Sequence, residues 1–261
     1  MSADNRQFSL ALESYLELKT EAAPPRPAPL PAPPNLDTVL AGIGPLPREA
    51  LFLGIASDGL PVLLNLHDPA PGPLLVPGEA GSGKTDFLRS IVRALIRSHK
   101  ASELQYGVLT GHPDEWEEIE STPHRAGVFP IAHSSAQDFM LSLASWAHAN
   151  KGSNQSLLML VDDLEALARL DFDALQNFRW LLARGPARRV WPVITMNAER
   201  YGQVLAWIPI FRTRIFGRIR NERVAEVLSS DRASALERLK APIQFSLREN
   251  EKWVKFWLSG F

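Results

Sequence analysis

The sequence predicts an α/β fold built on a mainly parallel sheet, and three observations predict it. Short apolar runs alternate with stretches of helical periodicity through residues 51–239, the pattern of strands joined by covering helices. One apolar run, 74–77, leads straight into a glycine-rich loop and an amphipathic stretch. Another, 157–161, is apolar at every position and ends in two aspartates, as a central strand buried on both faces would.

The elements follow in order. Residues 5–20 carry Phe8, Leu12, Tyr15 and Leu16 at helical spacing, so an amphipathic helix is expected within 1–22. Pro24, Pro25, Pro27, Pro29, Pro31, Pro33 and Pro34 come next, and the expectation over 23–48 is a stiff, extended linker. A short helix on such a tether cannot bury its apolar face alone. It docks on its own domain or on a neighbouring subunit or partner protein.

The main domain is expected over 49–261. Runs 51–55 and 61–66, split by Ser57-Asp58-Gly59, read as a hairpin. Strands are expected at 74–77, 104–109, 128–131, 157–161, 191–196 and 215–219, and helices at 84–99, 136–149, 172–183, 203–207, 221–229 and 234–239. Runs 244–247 and 253–258 are expected to close the domain as a β-hairpin.

Composition narrows the function. With no cysteine in the chain, disulfides, thiolate nucleophiles and Cys-ligated metals are excluded. No apolar run approaches the roughly 18–20 residues of a membrane span, and the N-terminus is polar. The expectation is a soluble, cytoplasmic protein with no membrane contact. The net charge of −1 hides an asymmetry: residues 179–223 hold ten arginines against Glu199 and Glu222, while 111–173 are acidic. Those arginines either form a basic surface or pair with the acidic segment.

Residues 78–85, Gly-Glu-Ala-Gly-Ser-Gly-Lys-Thr, carry the strongest chemistry. Gly78, Gly81 and Gly83 let the backbone through Glu79, Ala80 and Ser82 curl so that N–H groups point at phosphate oxygens. The helix that follows, with Asp86 in its first turn, adds a positive end. In that pattern Lys84 reaches the β- and γ-phosphates and the Thr85 hydroxyl ligates Mg²⁺. The second half is Val161-Asp162-Asp163, where Asp162 would hold Mg²⁺ and Asp163 would orient the attacking water. A pair of helix-capping aspartates is the other reading. Asn197, ending the run Val193-Ile194-Thr195-Met196, could hold that water or form a turn. No Asn-Lys-x-Asp base-reading motif is present, which favours ATP over GTP.

These motifs, with Leu53-Gly54, Asp58-Gly59-Leu60-Pro61-Val62 and Asn65-Leu66 ahead of them and Thr213-Arg214-Ile215 after, resemble the motor domain of the FtsK/SpoIIIE–HerA family across about residues 51–230. The resemblance implies a RecA-like P-loop NTPase of the additional-strand type, binding ATP and Mg²⁺. It further implies self-assembly, in the family's case as a hexameric ring, and action on DNA or another polymer. The family's interface arginine would fall near Pro186, so Arg184 and Arg188 are the finger candidates. Arg214 is a third cation proposed to approach a neighbour's nucleotide.

There are departures. Asp163 and Asn197 stand where the family has Glu and Gln, and Ala198-Glu199 replaces Arg-Pro. A membrane anchor and a C-terminal winged helix are also missing from the chain. Two readings stay open: an ATP-hydrolysing ring motor, and a slow or inactive nucleotide-dependent switch that recruits a partner.

Overall fold

The strand that runs into the glycine loop, β3 (Leu74–Gly78), lies inside a ten-stranded sheet. A computed structural model describes residues 35–260 except 120, 121, 151, 153, 250 and 251; the helix expected in 1–22 lies outside the described residues. The other strands are β1 (Ala50–Ala56), β2 (Pro61–Asn65), β4 (Leu104–Thr110), β5 (Arg125–Pro130), β6 (Ser156–Asp162), β7 (Val190–Asn197), β8 (Thr213–Phe216), β9 (Gln244–Glu249) and β10 (Lys252–Trp257). Their order is β2-β1-β10-β9-β8-β3-β7-β6-β4-β5. From β8 to β5 every pairing is parallel, and from β8 to β2 every pairing is antiparallel. The expected fold class holds. The closing hairpin β9–β10 does more than end the chain, because it joins the parallel half to the β1–β2 hairpin.

Strand β7 separates β3 from β6, and this is the additional strand. The insertion sets the site. Gly78 at the end of β3 pairs with Asn197 at the end of β7, and Val161 next to Asp162 pairs with Ile194 next to Thr195. Three carboxyl-terminal strand ends therefore meet at one edge, where open α/β sheets bind ligands.

Alternate side chains of these strands feed two cores. Helix α2 (Lys84–Ser98) covers one face, packing Phe87, Leu88, Ile91 and Leu95 with Leu74, Val76, Leu160, Val193 and Ile215. On the other face lie α3 (Ser134–Ala149) and α5 (Phe172–Arg184), with Met140, Leu143, Phe178 and Leu181 against Leu75, Met159, Val161 and Ile194. The short α4 (Leu164–Leu167) follows β6, and α6 (Glu222–Ser229) follows β8. Among the described residues no helix is long and apolar enough to cross a membrane.

Four local expectations need correction. The stretch expected to be linker through residue 48 carries helix α1 (Leu36–Ile43): just after Pro34, the Asn35 side chain accepts from the Asp37 N–H at 2.9 Å, and Leu36 and Val39 bury against Phe52 and Ala94. Of 203–207, Gln203 ends a short 3-10 segment (Ala198–Gln203) and 204–207 are bend and turn before a second one (Ile208–Ile210), where Pro209 excludes a continuing helix. Within 234–239 only Leu236–Arg238 forms a 3-10 turn. Strand β8 stops at Phe216 rather than Ile219, because the next residues run along the phosphate loop instead: Gly217 N–H donates to Pro77 O at 3.0 Å, and Glu79 N–H to Arg218 O at 2.9 Å.

Candidate functional site

The loop after β3 reaches α2 through Gly83, whose φ of 87° lies in the left-handed region, where glycine is free of the side-chain penalty. A Cβ there would also run into the carbonyl of Pro242, just ahead of β9. No side chain caps α2, so its first N–H groups keep their donors for a ligand. The Ser82 hydroxyl is fully buried without a partner, wedged between Gly78 and Gly217.

Lys84 folds back over this loop and donates through Nζ to Glu79 O at 2.9 Å. Burial pushes its ammonium below the ordinary lysine value, against the opposing pull of Asp162, Glu165, Asp163 and Glu79. A desolvated cation in a ring of free donors is a fit for phosphate.

The two residues expected to hold a metal are in contact. Thr85 Oγ1 donates to Asp162 Oδ2 at 2.8 Å, and Thr195 Oγ1 donates to Asp162 Oδ1 at 2.8 Å. Thr195 Oγ1 in turn accepts from the Asp163 N–H at 2.9 Å. Thr195 was given no role from sequence; the signal was a lone hydroxyl inside an apolar strand. One hydroxyl and one carboxylate suit Mg²⁺, which takes few protein ligands and completes its octahedron with water and phosphate.

Asp163 adopts φ 91°, and its Oδ1 accepts from the Ala166 N–H at 3.2 Å, capping α4. It therefore does the capping job that was the alternative reading, while standing beside Asp162 and Lys84. Left-handed backbone at a non-glycine residue is strained and concentrates at functional sites. Asn197 sits beside Gly78, with its side chain accepting from the Glu199 N–H at 3.0 Å.

Glu165 was missed from sequence, although an acid among Leu164, Ala166 and Leu167 was the available signal. It is buried, and its Oε1 accepts from the Asn197 N–H at 2.7 Å while Oε2 is unpartnered. Burial, and then the Asp163 carboxylate within hydrogen-bonding reach, push its carboxyl up to about 8.

Glu79 brings a negative charge into a loop meant for anions, and the fold neutralises it. Its Oε1 meets Arg218 Nε at 2.6 Å and Arg220 Nε at 3.2 Å, and its Oε2 accepts the Arg220 N–H at 3.2 Å. Asp86 is drawn toward Arg89 at 3.7 Å on α2, and burial raises its carboxyl.

The arginines separate into two kinds. Arg184 and Arg188 lie just ahead of β7, at the sheet edge opposite the loop. The eight residues of β7 put about 25 Å between those edges, so neither reaches this chain's own phosphates. Arg214 departs from the expectation of a cation free to meet a neighbour. It is half-buried and donates to the carbonyls of Phe211, Leu228 and Ile208 at 3.3, 2.6 and 3.3 Å.

Fold and loop together define a P-loop nucleotide-binding domain with an additional strand between its two phosphate-site strands. Among solved structures, the chain is similar to Thermomonospora curvata EccC (ATPases 2 and 3), determined with a signal sequence peptide, at 16% identity and TM-score 0.70, covering 92% of this chain and 45% of that one. It is also similar to EssC (ATPases 2 and 3) from Geobacillus thermodenitrificans, at 12% identity and TM-score 0.67, covering 91% and 48%. A third likeness is to the pCW3 conjugation coupling protein TcpA with ATPγS, at 16% identity and TM-score 0.59, covering 82% and 67%. The chain thus spans less than half the length of the first two. No protein-family model and no curated protein matches it. The fold is shared with these ATPase domains, and it is the P-loop α/β fold that the motif series implied.

Proposed function

We propose that this chain binds ATP with Mg²⁺ and hydrolyses it as an oligomeric motor of the FtsK–HerA type. The observation that carries the reading is the Thr85–Asp162–Thr195 chain of hydrogen bonds, which joins the two halves of the site at metal-sharing distance. Gly78 to Thr85 wrap the phosphates, and Lys84 supplies the cation. Thr85 and Asp162 hold Mg²⁺, which when bound offsets the charge developing on the phosphate oxygens. Asp163 and Asn197 place the attacking water. Arg184 or Arg188 is supplied to a second copy's site, so that assembly and turnover become one property. The polymer moved is DNA or a polypeptide; TcpA is a coupling protein of conjugation and EccC holds a signal peptide, and each lends support to one class.

A slow switch is the second reading, and Asp163 favours it: its carboxylate already caps α4 and is one methylene shorter than the family's glutamate. The deciding experiment measures ATP turnover against protein concentration, with and without DNA, beside light scattering with a non-hydrolysable ATP analogue. Turnover that rises with both concentration and DNA supports the DNA motor. Nucleotide binding with negligible turnover at every concentration supports the switch.

A further inference from the structure

On the sheet face opposite α2, and away from the nucleotide loop, three arginines line one cleft of about 310 Å³ with Phe216, Ser229 and Trp253. The register builds it. Ile215 pairs with Leu247 and Trp253 with Arg248, so one step further along β8 and β9 puts Arg248 beside Arg214. Arg212 precedes β8 by one residue. Arg214 pairs with Leu75, three residues before Gly78, so the arginine end of the cleft lies about 10 Å along the sheet from the phosphate loop.

The charges of the cleft are unbalanced. Arg214 is anchored by its three carbonyl acceptors, which leaves two of a guanidinium's five N–H groups unspent. Among the described residues Arg212 and Arg248 make no hydrogen bond or ion pair. A carboxylate at the cleft, Asp231, is held below its ordinary value first by the Trp253 indole N–H, which donates to its Oδ2 at 2.8 Å, and to a lesser degree by the Arg248 charge. Among the described residues, the carboxylate that Arg248 acts on is thus already engaged by the Trp253 indole. Like charges set side by side on neighbouring strands cost stability, and separately the loss of solvent on burial pulls Arg214 below its ordinary value. An anion in the cleft would relieve both.

We propose that this cleft binds the phosphate of a nucleotide unit, with Arg212, Arg214 and Arg248 on the phosphate oxygens and the half-buried Trp253 ring against the sugar or base. Guanidinium forks match phosphate geometry better than a point charge does. Trp253, backed edge-on by the buried Phe216 at 5.6 Å between centroids, supplies the apolar side that a bare anion site would not need. The volume is at the small end of ligand sites, enough for one nucleotide unit. The unit comes from a nucleic-acid strand or from a free nucleotide.

The test uses the full chain with Lys84→Ala, so that the phosphate loop contributes nothing, and compares it with the same chain carrying Arg212→Ala and Arg248→Ala. Binding of a fluorescein-labelled oligonucleotide of about 30 bases, single-stranded and duplex, is followed by anisotropy across a salt series. AMP and pyrophosphate are titrated separately by calorimetry. The expected result is binding by the parent, a loss of tenfold or more in the double variant, and a salt slope shallower by about 1.4–1.8 for two lost phosphate contacts. Oligonucleotide binding without AMP binding identifies a strand as the source, and AMP binding alone identifies a free nucleotide. Equal affinities in the two proteins, or no binding by the parent, would overturn the proposal. So would a double variant that keeps anion binding and loses only self-association, which would make the cleft a contact for an acidic surface of a second copy. Arg212→Ala/Arg248→Ala with Lys84 intact should bind ATP as the unmodified chain does, so a failed nucleotide loop and a failed cleft give different results.

Discussion

Thr85 and Asp162, seventy-seven residues apart in the chain, are joined by a hydrogen bond of 2.8 Å between Oγ1 and Oδ2. The hydroxyl sits in the first turn of α2 and the carboxylate at the end of β6, so the bond ties the phosphate loop to the strand two places away in the sheet. Thr195 occupies the other Asp162 oxygen from the intervening strand. Neither aspartate oxygen is left to choose its own direction, and the carboxylate is aimed before any ligand arrives, which is what a site needs to act without reorganising.

Replacing Lys84 by Ala should abolish ATP binding or cut turnover by about 10²-fold or more, with the melting temperature little changed. Lys84 is part-buried over the loop but belongs to no hydrophobic core cluster, and its side chain's hydrogen bond is to the Glu79 carbonyl. Fluorescent-nucleotide binding and circular dichroism on the same preparation check both halves. Wild-type affinity and turnover in the variant would remove the phosphate assignment.

Asp163→Asn separates two roles of one carboxylate. Asn caps a helix about as well as Asp, so the bond to the Ala166 N–H survives and stability should hold. Turnover should fall roughly 10²–10⁴-fold while nucleotide stays bound. An unchanged rate would leave Asp163 as a cap and nothing more.

Stability should depend on pH through Glu165. Its carboxyl titrates at about 8 in the folded protein against 4.5 for the free side chain, so folding takes up a proton between these values. That contribution is complete below about pH 4.5 and is lost as pH rises through about 8. Urea unfolding from pH 5 to 9 should show stability falling across the range, and Glu165→Gln should flatten the fall. A variant with the parent's slope would assign the dependence elsewhere.

Subunit mixing tests the trans arginine. A chain with Arg184→Ala and Arg188→Ala but an intact loop, mixed with Lys84→Ala subunits, should regain ATPase activity, because each partner supplies what the other lacks. Finger arginines are worth about 10³–10⁵ in rate, so even partial recovery is measurable. No recovery at any ratio, with a monomeric mass in nucleotide, would favour the switch reading. Arg214 is left out of this test because its guanidinium holds three carbonyls of its own chain.

What the sequence determined by itself was whatever is encoded over a few consecutive residues. The phosphate loop was legible because glycine spacing, Lys84 and Thr85 act through local backbone geometry. The buried strand ahead of Asp162 was legible because an unbroken apolar run has no other use at that length. Only the tertiary structure decided the order of the strands, since periodicity says which face is buried and not which strand lies alongside. The β3-β7-β6 order puts Asn197 beside Gly78 and Thr195 on Asp162. It also decided the fate of the charges: Glu79 is neutralised by Arg218 and Arg220, Glu165 is buried against Asp163, and Arg214 is turned inward. A charged residue looks the same in a sequence whether it faces water, a carbonyl or another charge. The difference lies in burial and partners brought together from distant parts of the chain, and those exist only once it has folded.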